Sequence, residues 1–115
     1  MYIKNFPREE VQNLKEQVQV LPGQVVSKTL AQNGAVSMTL FAFSAGEEIS
    51  THGSRGDAFV QVLEGKGRFI VNGKTYEVET GQALLMPAEK PHSVHGDEDF
   101  KMLLTVVFPL EDHEE

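Results

Sequence analysis

Two histidines stand forty positions apart in similar settings. His52 follows the acidic pair Glu47-Glu48 in a stretch that turns glycine-rich, and His92 follows Pro91. Imidazole has a reference pKa of about 6.5. It accepts or donates a hydrogen bond, ligates a metal when neutral and attracts anions when protonated. Arg55, between Gly53 and Gly56, offers a planar fork for a carboxylate or phosphate. The chain has no cysteine, which excludes a disulfide framework, a cysteine nucleophile and a thiolate metal site. No glycine-rich loop is followed by Lys-Ser or Lys-Thr, and Gly65-Lys66-Gly67 reads as a hairpin turn rather than a nucleotide fingerprint. Ser50, Ser54 and Ser93 lie near histidines, but the sequence shows no oriented acid, so a nucleophilic triad is not expected.

The elements that must position these residues read mostly as strands. Residues 7–17 form the one helical candidate: Pro7 suits a first helical position and the acids after it suit the positive end of the dipole. Val11 and Leu14 make a thin apolar face, which predicts a short or irregular helical turn. Strands are predicted over 24–32 and 35–44, joined at Asn33-Gly34, a strong hairpin signal. In the second of these, Val36, Met38, Leu40 and Ala42 share one face while Phe41 and Phe43 take the other, which predicts cover on both sides. Further strands are predicted over 58–64, 68–72, 75–79, 83–87, 92–95 and 100–108, with a second Asn-Gly hairpin at Asn72-Gly73. Short strands with turns about every ten residues indicate an all-β sandwich or barrel. Met38, Leu40, Val60, Val62, Leu85, Met102 and Leu104 are assigned to the interior, and outward-facing aromatics would require a second chain to cover them.

Length and charge narrow the function classes. A chain of 115 residues suits one domain, 1–115, and 40% hydrophobic with 23% charged residues suits a soluble globular protein. No apolar run approaches a membrane span, and the N-terminus lacks the apolar core of a signal peptide, so a cytoplasmic address is expected. The formal net charge of −7 repels phosphate backbones and anionic lipid, so neither nucleic acid nor membrane is an expected partner. Part of the excess lies in Asp97-Glu98-Asp99 and the tail Glu111-Asp112-His113-Glu114-Glu115, both read as solvated surface.

Two stretches resemble the paired motifs of the cupin superfamily. The first motif of that family runs Gly, five residues, His-x-His, three or four residues, Glu, six residues, Gly. Here Gly46 precedes His52 by five intervening residues, and Gly65 closes the motif after Val62-Leu63-Glu64. The second motif runs Gly, five residues, Pro-x-Gly, two residues, His, three residues, Asn. It is matched by Gly81, Pro87 and His92, with Glu89 in place of the glycine and Gly96 in place of the asparagine. The resemblance spans about residues 35–108 and implies a double-stranded β-helix, the cupin jelly-roll barrel, in the style of small single-domain bacterial cupins.

The same resemblance implies a divalent ion (Mn, Fe, Ni or Zn) held by three imidazoles and one carboxylate. Here His52 and His92 occupy two of those positions, while Ser54 and Ala58 occupy the other two. Two protein ligands alone rarely hold a metal tightly. Asp57 is one residue from the carboxylate position and is the candidate third ligand, although a one-residue offset turns a strand side chain to the opposite face unless a bulge intervenes. Gln61 shares the parity of Asp57, and with Met38, Arg55 and Met102 it is a substrate-pocket candidate. His95 has the opposite parity to His92 and is assigned a structural or surface role, and His113 is assigned to solvent. Two functions follow from the resemblance: a metal-dependent enzyme of oxygenase, isomerase or lyase type, and a metal-free barrel that binds or senses a small ligand. A homodimer is also implied, with residues 18–32 pairing with or covering the partner's sheet.

Overall fold

The computed structural model describes residues 2–110. Nine strands form among them: β1 (Val25–Gln32), β2 (Val36–Phe43), β3 (Glu48–His52), β4 (Asp57–Glu64), β5 (Lys66–Val71), β6 (Lys74–Glu79), β7 (Ala83–Met86), β8 (His92–His95) and β9 (Phe100–Val107). They make two antiparallel sheets, one ordered β1-β2-β9-β4-β7 and the other β3-β8-β5-β6. Packed face to face, the sheets enclose a barrel, the all-β jelly roll that the sequence predicted. Among the described residues no helix is long and apolar enough to cross a membrane.

The period-two pattern of β4 shows how the barrel is filled. Ala58, Val60 and Val62 are buried while Asp57, Phe59 and Gln61 between them are exposed. The buried set packs with Phe43, Phe69, Val78, Met86, Phe100 and Met102 into one interior cluster, which Leu104 and Val106 flank. Phe43 and Phe100 stack within it with ring centroids 4.6 Å apart.

A second cluster lies on the other side of the five-stranded sheet. Leu30, Leu40, Ala42 and Leu103 are buried there beneath Val18, with Phe6, Leu14 and Val20 packed against them. The N-terminal segment therefore covers the outer face of its own sheet, and β2 is covered on both sides as its sequence required. Lys101, itself buried, reaches from that face to the carbonyl of Lys15, and Lys28 Nζ donates to Gln17 Oε1 at 3.2 Å. The helical content of the segment is one 3-10 turn, Leu14–Glu16, so the helix does not begin at Pro7.

Several expectations are corrected by the topology. Met38 and Leu40 face the outer cluster rather than the barrel interior, because Phe41 and Phe43 take the inner face. Leu85 also faces out, at 53% exposure, with Leu84 and Met86 inward. Gly65-Lys66-Gly67 is not a hairpin turn: β4 and β5 belong to different sheets, and the chain crosses between them at Gly65. Gly65 has φ +80°, and a Cβ there would stand 2.5 Å from the Asp99 carbonyl oxygen, so only glycine permits the crossing. The Asn72-Gly73 turn is as predicted, with φ of 50° and 84° giving the two left-handed residues of a tight hairpin. Strand β3 was not predicted.

Candidate functional site at the barrel mouth

His52 ends β3 and His92 begins β8, and the two are directly paired across the ladder. Their rings meet edge to face, with centroids 4.4 Å apart and planes at 65°. His92 is buried at 4% exposure and His52 is exposed above it. Of the residues that the sequence singled out, the two histidines thus meet across the β3–β8 pair.

Backbone carbonyls fix how these rings present themselves. His52 Nδ1 lies 2.9 Å from the Ser50 carbonyl oxygen, and His92 Nδ1 lies 3.3 Å from that of Lys90. A carbonyl oxygen only accepts, so each neutral ring carries its proton on Nδ1 and leaves a lone pair on Nε2. Burial is the main cause that pushes the His92 pKa below its ordinary value; the like charge of His52 adds to this, and the Lys90 carbonyl opposes it. His92 is accordingly neutral at pH 7, with Nε2 acting as an acceptor.

The turn before His92 is held from the other motif. Ala88 N–H donates to Asp57 Oδ1 at 2.8 Å, and Glu89 N–H donates to the Ser54 carbonyl at 2.8 Å. Asn72 N–H donates to the Pro91 carbonyl at 2.8 Å. Glu89, which replaces the family's glycine, has φ +66°. That is the left-handed region where a side chain costs about 1 kcal/mol or more, which explains why glycine suits the position. Within the first motif, Gly56 N–H donates to Ser54 Oγ at 3.2 Å. A Cβ on Gly56 would stand 2.3 Å from the Val107 carbonyl oxygen, so β4 and β9 approach closely only because the residue is glycine.

The other candidates do not join the pair. Asp57 points outward from β4 and its carboxylate is engaged at Ala88, so the predicted third ligand is a turn cap instead. Ser54 bonds locally and Ala58 is a buried wall residue. Among the described residues no three of His, Cys, Asp or Glu come together as a metal shell. The donor set therefore supplies only part of the coordination a divalent ion needs from protein. Arg55 stacks over Phe108, with Cζ 5.2 Å from the ring centroid. Gln61 is exposed on the outer face, and Met38 belongs to the outer cluster, so neither lines the barrel. Met102 does face the interior, but it sits about 13 Å further along β9 than Val106 at the mouth. His113 lies outside the described residues.

One arrangement escaped sequence reasoning. On the outer face of the four-stranded sheet, Ser93 Oγ lies 2.9 Å from His95 Nε2, and His95 Nδ1 lies 3.0 Å from Glu48 Oε1. An oriented acid thus exists, contrary to expectation. Ser93 itself is buried, at 3% exposure. It is paired with Ile70 of β5 on one side and lies opposite the irregularity of β3 on the other. Beside it Arg68 grips Asp97 through Nε at 2.7 Å and Nη2 at 3.1 Å. These groups clip neighbouring strands together.

The comparisons agree with this architecture. Residues 39–108 match the Cupin domain family. A conserved protein of unknown function from Streptococcus pyogenes is 38% identical and superposes with a TM-score of 0.94, over 96% of each chain. A cupin superfamily protein from Desulfitobacterium hafniense is 29% identical, with a TM-score of 0.90 over 95% of this chain and 100% of that one. A cupin 2 conserved barrel domain protein from Leptotrichia buccalis is 41% identical, with a TM-score of 0.82 over 84% of this chain and 47% of that one. No curated protein matches the sequence. The chain belongs to the cupin family.

Proposed function

We propose that the protein is a small-molecule-binding cupin whose ligand is held at the barrel mouth by His52 and His92. The observation that carries this reading is the shared orientation of the two rings: each Nδ1 is spent on a carbonyl, and among the described residues neither Nε2 has a hydrogen-bond partner. Two Nε2 atoms without a protein donor suit a ligand that donates, such as a hydroxyl, on an apolar body that meets Val71, the partner of His92 across the β5–β8 ladder. Catalysis is not needed for this reading.

The same lone pairs favour a second reading, in which a divalent ion binds with the ligand supplying the remaining donors. Metal content after purification without a histidine tag separates the two. The first reading expects metal-free protein and saturable chemical-shift changes at both histidines on adding 4-methylphenol at pH 8. Stoichiometric metal that is lost in His52→Ala would establish the second. Neither metal nor phenol binding, under any loading condition, would overturn both.

We further propose that a second copy of the chain covers the exposed half of the five-stranded sheet. Phe59 is paired with Leu85 on one side and with Thr105 on the other, and Val107 lies one outward position along β9. Phe59, Leu85 and Val107 are 41%, 53% and 57% exposed. Among the outward residues of β4, β7 and β9 at this level only Asp57 is charged, and its carboxylate caps Ala88. In a chain of net charge −7, such a face is where a like molecule meets least repulsion. Residues 18–32, expected to cover the partner, are already engaged within their own chain. Sedimentation should give twice 12.7 kDa, tighter association with added salt, and a monomer for Phe59→Glu. A monomeric wild type at 100 µM would refute the proposal.

A further inference from the structure

We infer that Asp57 is a positioning residue for the imidazole pair: its carboxylate couples the His52 segment to the turn that sets the tautomer of His92. The inference rests on the mouth pair described above, but not on any ligand bound there. Three hydrogen bonds from outside the turn hold residues 88–91, and two of them originate in residues 54–57, just after His52. Asp57 contributes the only side chain among those three contacts. The third bond, from Asn72, comes from the β5–β6 hairpin.

The consequence follows along four residues. Ala88 is fixed by Asp57, Glu89 is held left-handed at φ +66° by its bond to Ser54, and Lys90 then aims its carbonyl at His92 Nδ1. The 3.3 Å length of that last bond makes it the weak member of the chain, because N–H···O bonds cluster near 2.9–3.0 Å and weaken beyond this range. The preceding contacts must therefore hold the Lys90 carbonyl in place. Without them the turn would relax away from its strained residue, and the His92 proton would distribute between Nδ1 and Nε2. Half of the acceptor pair at the mouth would then be lost, although Asp57 touches neither ring. The carboxylate that sequence spacing offered as a metal ligand instead sets the protonation geometry of the ring.

The test is nitrogen-15 NMR of the His92 ring at pH 8, read together with exchange of the Ala88 amide. Wild type should show a single Nδ1–H tautomer and a slowly exchanging Ala88 amide. Asp57→Ala should speed Ala88 exchange at least tenfold and move the His92 ring shifts toward a tautomer mixture, leaving His95 shifts unchanged. Asp57→Asn keeps an acceptor oxygen without the charge and should restore both signals to within about twofold of wild type. Unchanged His92 shifts in Asp57→Ala would overturn the inference. Equal perturbation in Asp57→Asn and Asp57→Ala would also overturn it, by assigning the effect to charge. Neither readout needs a ligand, so a failure of the binding proposal would leave this result standing, and the reverse also holds.

Discussion

Strand β8 presents one histidine to each side of its sheet, and the two have opposite company. His92 faces the barrel interior, buried, with another imidazole and a carbonyl as its polar neighbours. His95 faces outward between a carboxylate and a hydroxyl, alongside the Arg68–Asp97 pair. Both rings keep Nδ1 as the donor, but only His95 has its Nε2 occupied, by Ser93. The inner ring has an Nε2 without a hydrogen-bond partner among the described residues, whereas both nitrogens of the outer ring are engaged. The histidine with unspent valence is the candidate for chemistry, and the fully engaged one is a fastening.

Removing each ring should expose that difference. His92→Ala deletes a buried ring and leaves a cavity, and should destabilise the fold by about 2 kcal/mol in urea unfolding while abolishing ligand-induced shifts. His95→Ala, by losing the contacts to Glu48 and Ser93, should cost about 1 kcal/mol and leave mouth binding intact. If both variants lost binding equally, the two faces would not be functionally distinct.

Acid should act on the inner ring. The folded pKa of His92 is depressed below the ordinary value of 6.5, so at intermediate pH the unfolded chain binds more protons than the folded one. This contribution is fully present above about pH 6.5 and is lost as pH falls toward the folded pKa. Because burial is the leading cause, His52→Gln should shrink the loss without removing it, as seen in Tm measured from pH 8 to pH 5. The smallest effect is expected at the turn that carries His92. Glu89→Gly relieves the left-handed residue but loosens the unfolded chain, for a net gain of a few tenths to about 1 kcal/mol.

The sequence disclosed much of this, and its failures have local causes. Eight strands were legible from alternation and turn pairs. Strand β3 was not, because Glu48-Ile49-Ser50-Thr51-His52 has one apolar residue and lies largely exposed. Met38 was misassigned because β2 is apolar on both faces, so alternation defines two sides without saying which is the barrel. The pairing of His52 with His92 came from motif spacing, and the parity of His95 correctly turned it away from His92. Glu48 could not be foreseen as its partner, since 47 residues separate them and only the β3–β8 ladder joins them. Asp57 had the right chemistry and the wrong face, as its one-residue offset warned.

The segment that lies over Leu30, Leu40, Ala42 and Leu103 has a practical corollary for anyone shortening this polypeptide. A version starting at Gln24 would retain every strand, yet it would present a bare oily sheet to water. Such a molecule is expected to clump or recruit chaperones rather than stay dispersed. The leading two dozen residues work as a sewn-in lining, and a cut that leaves the barrel motifs untouched would still ruin the protein.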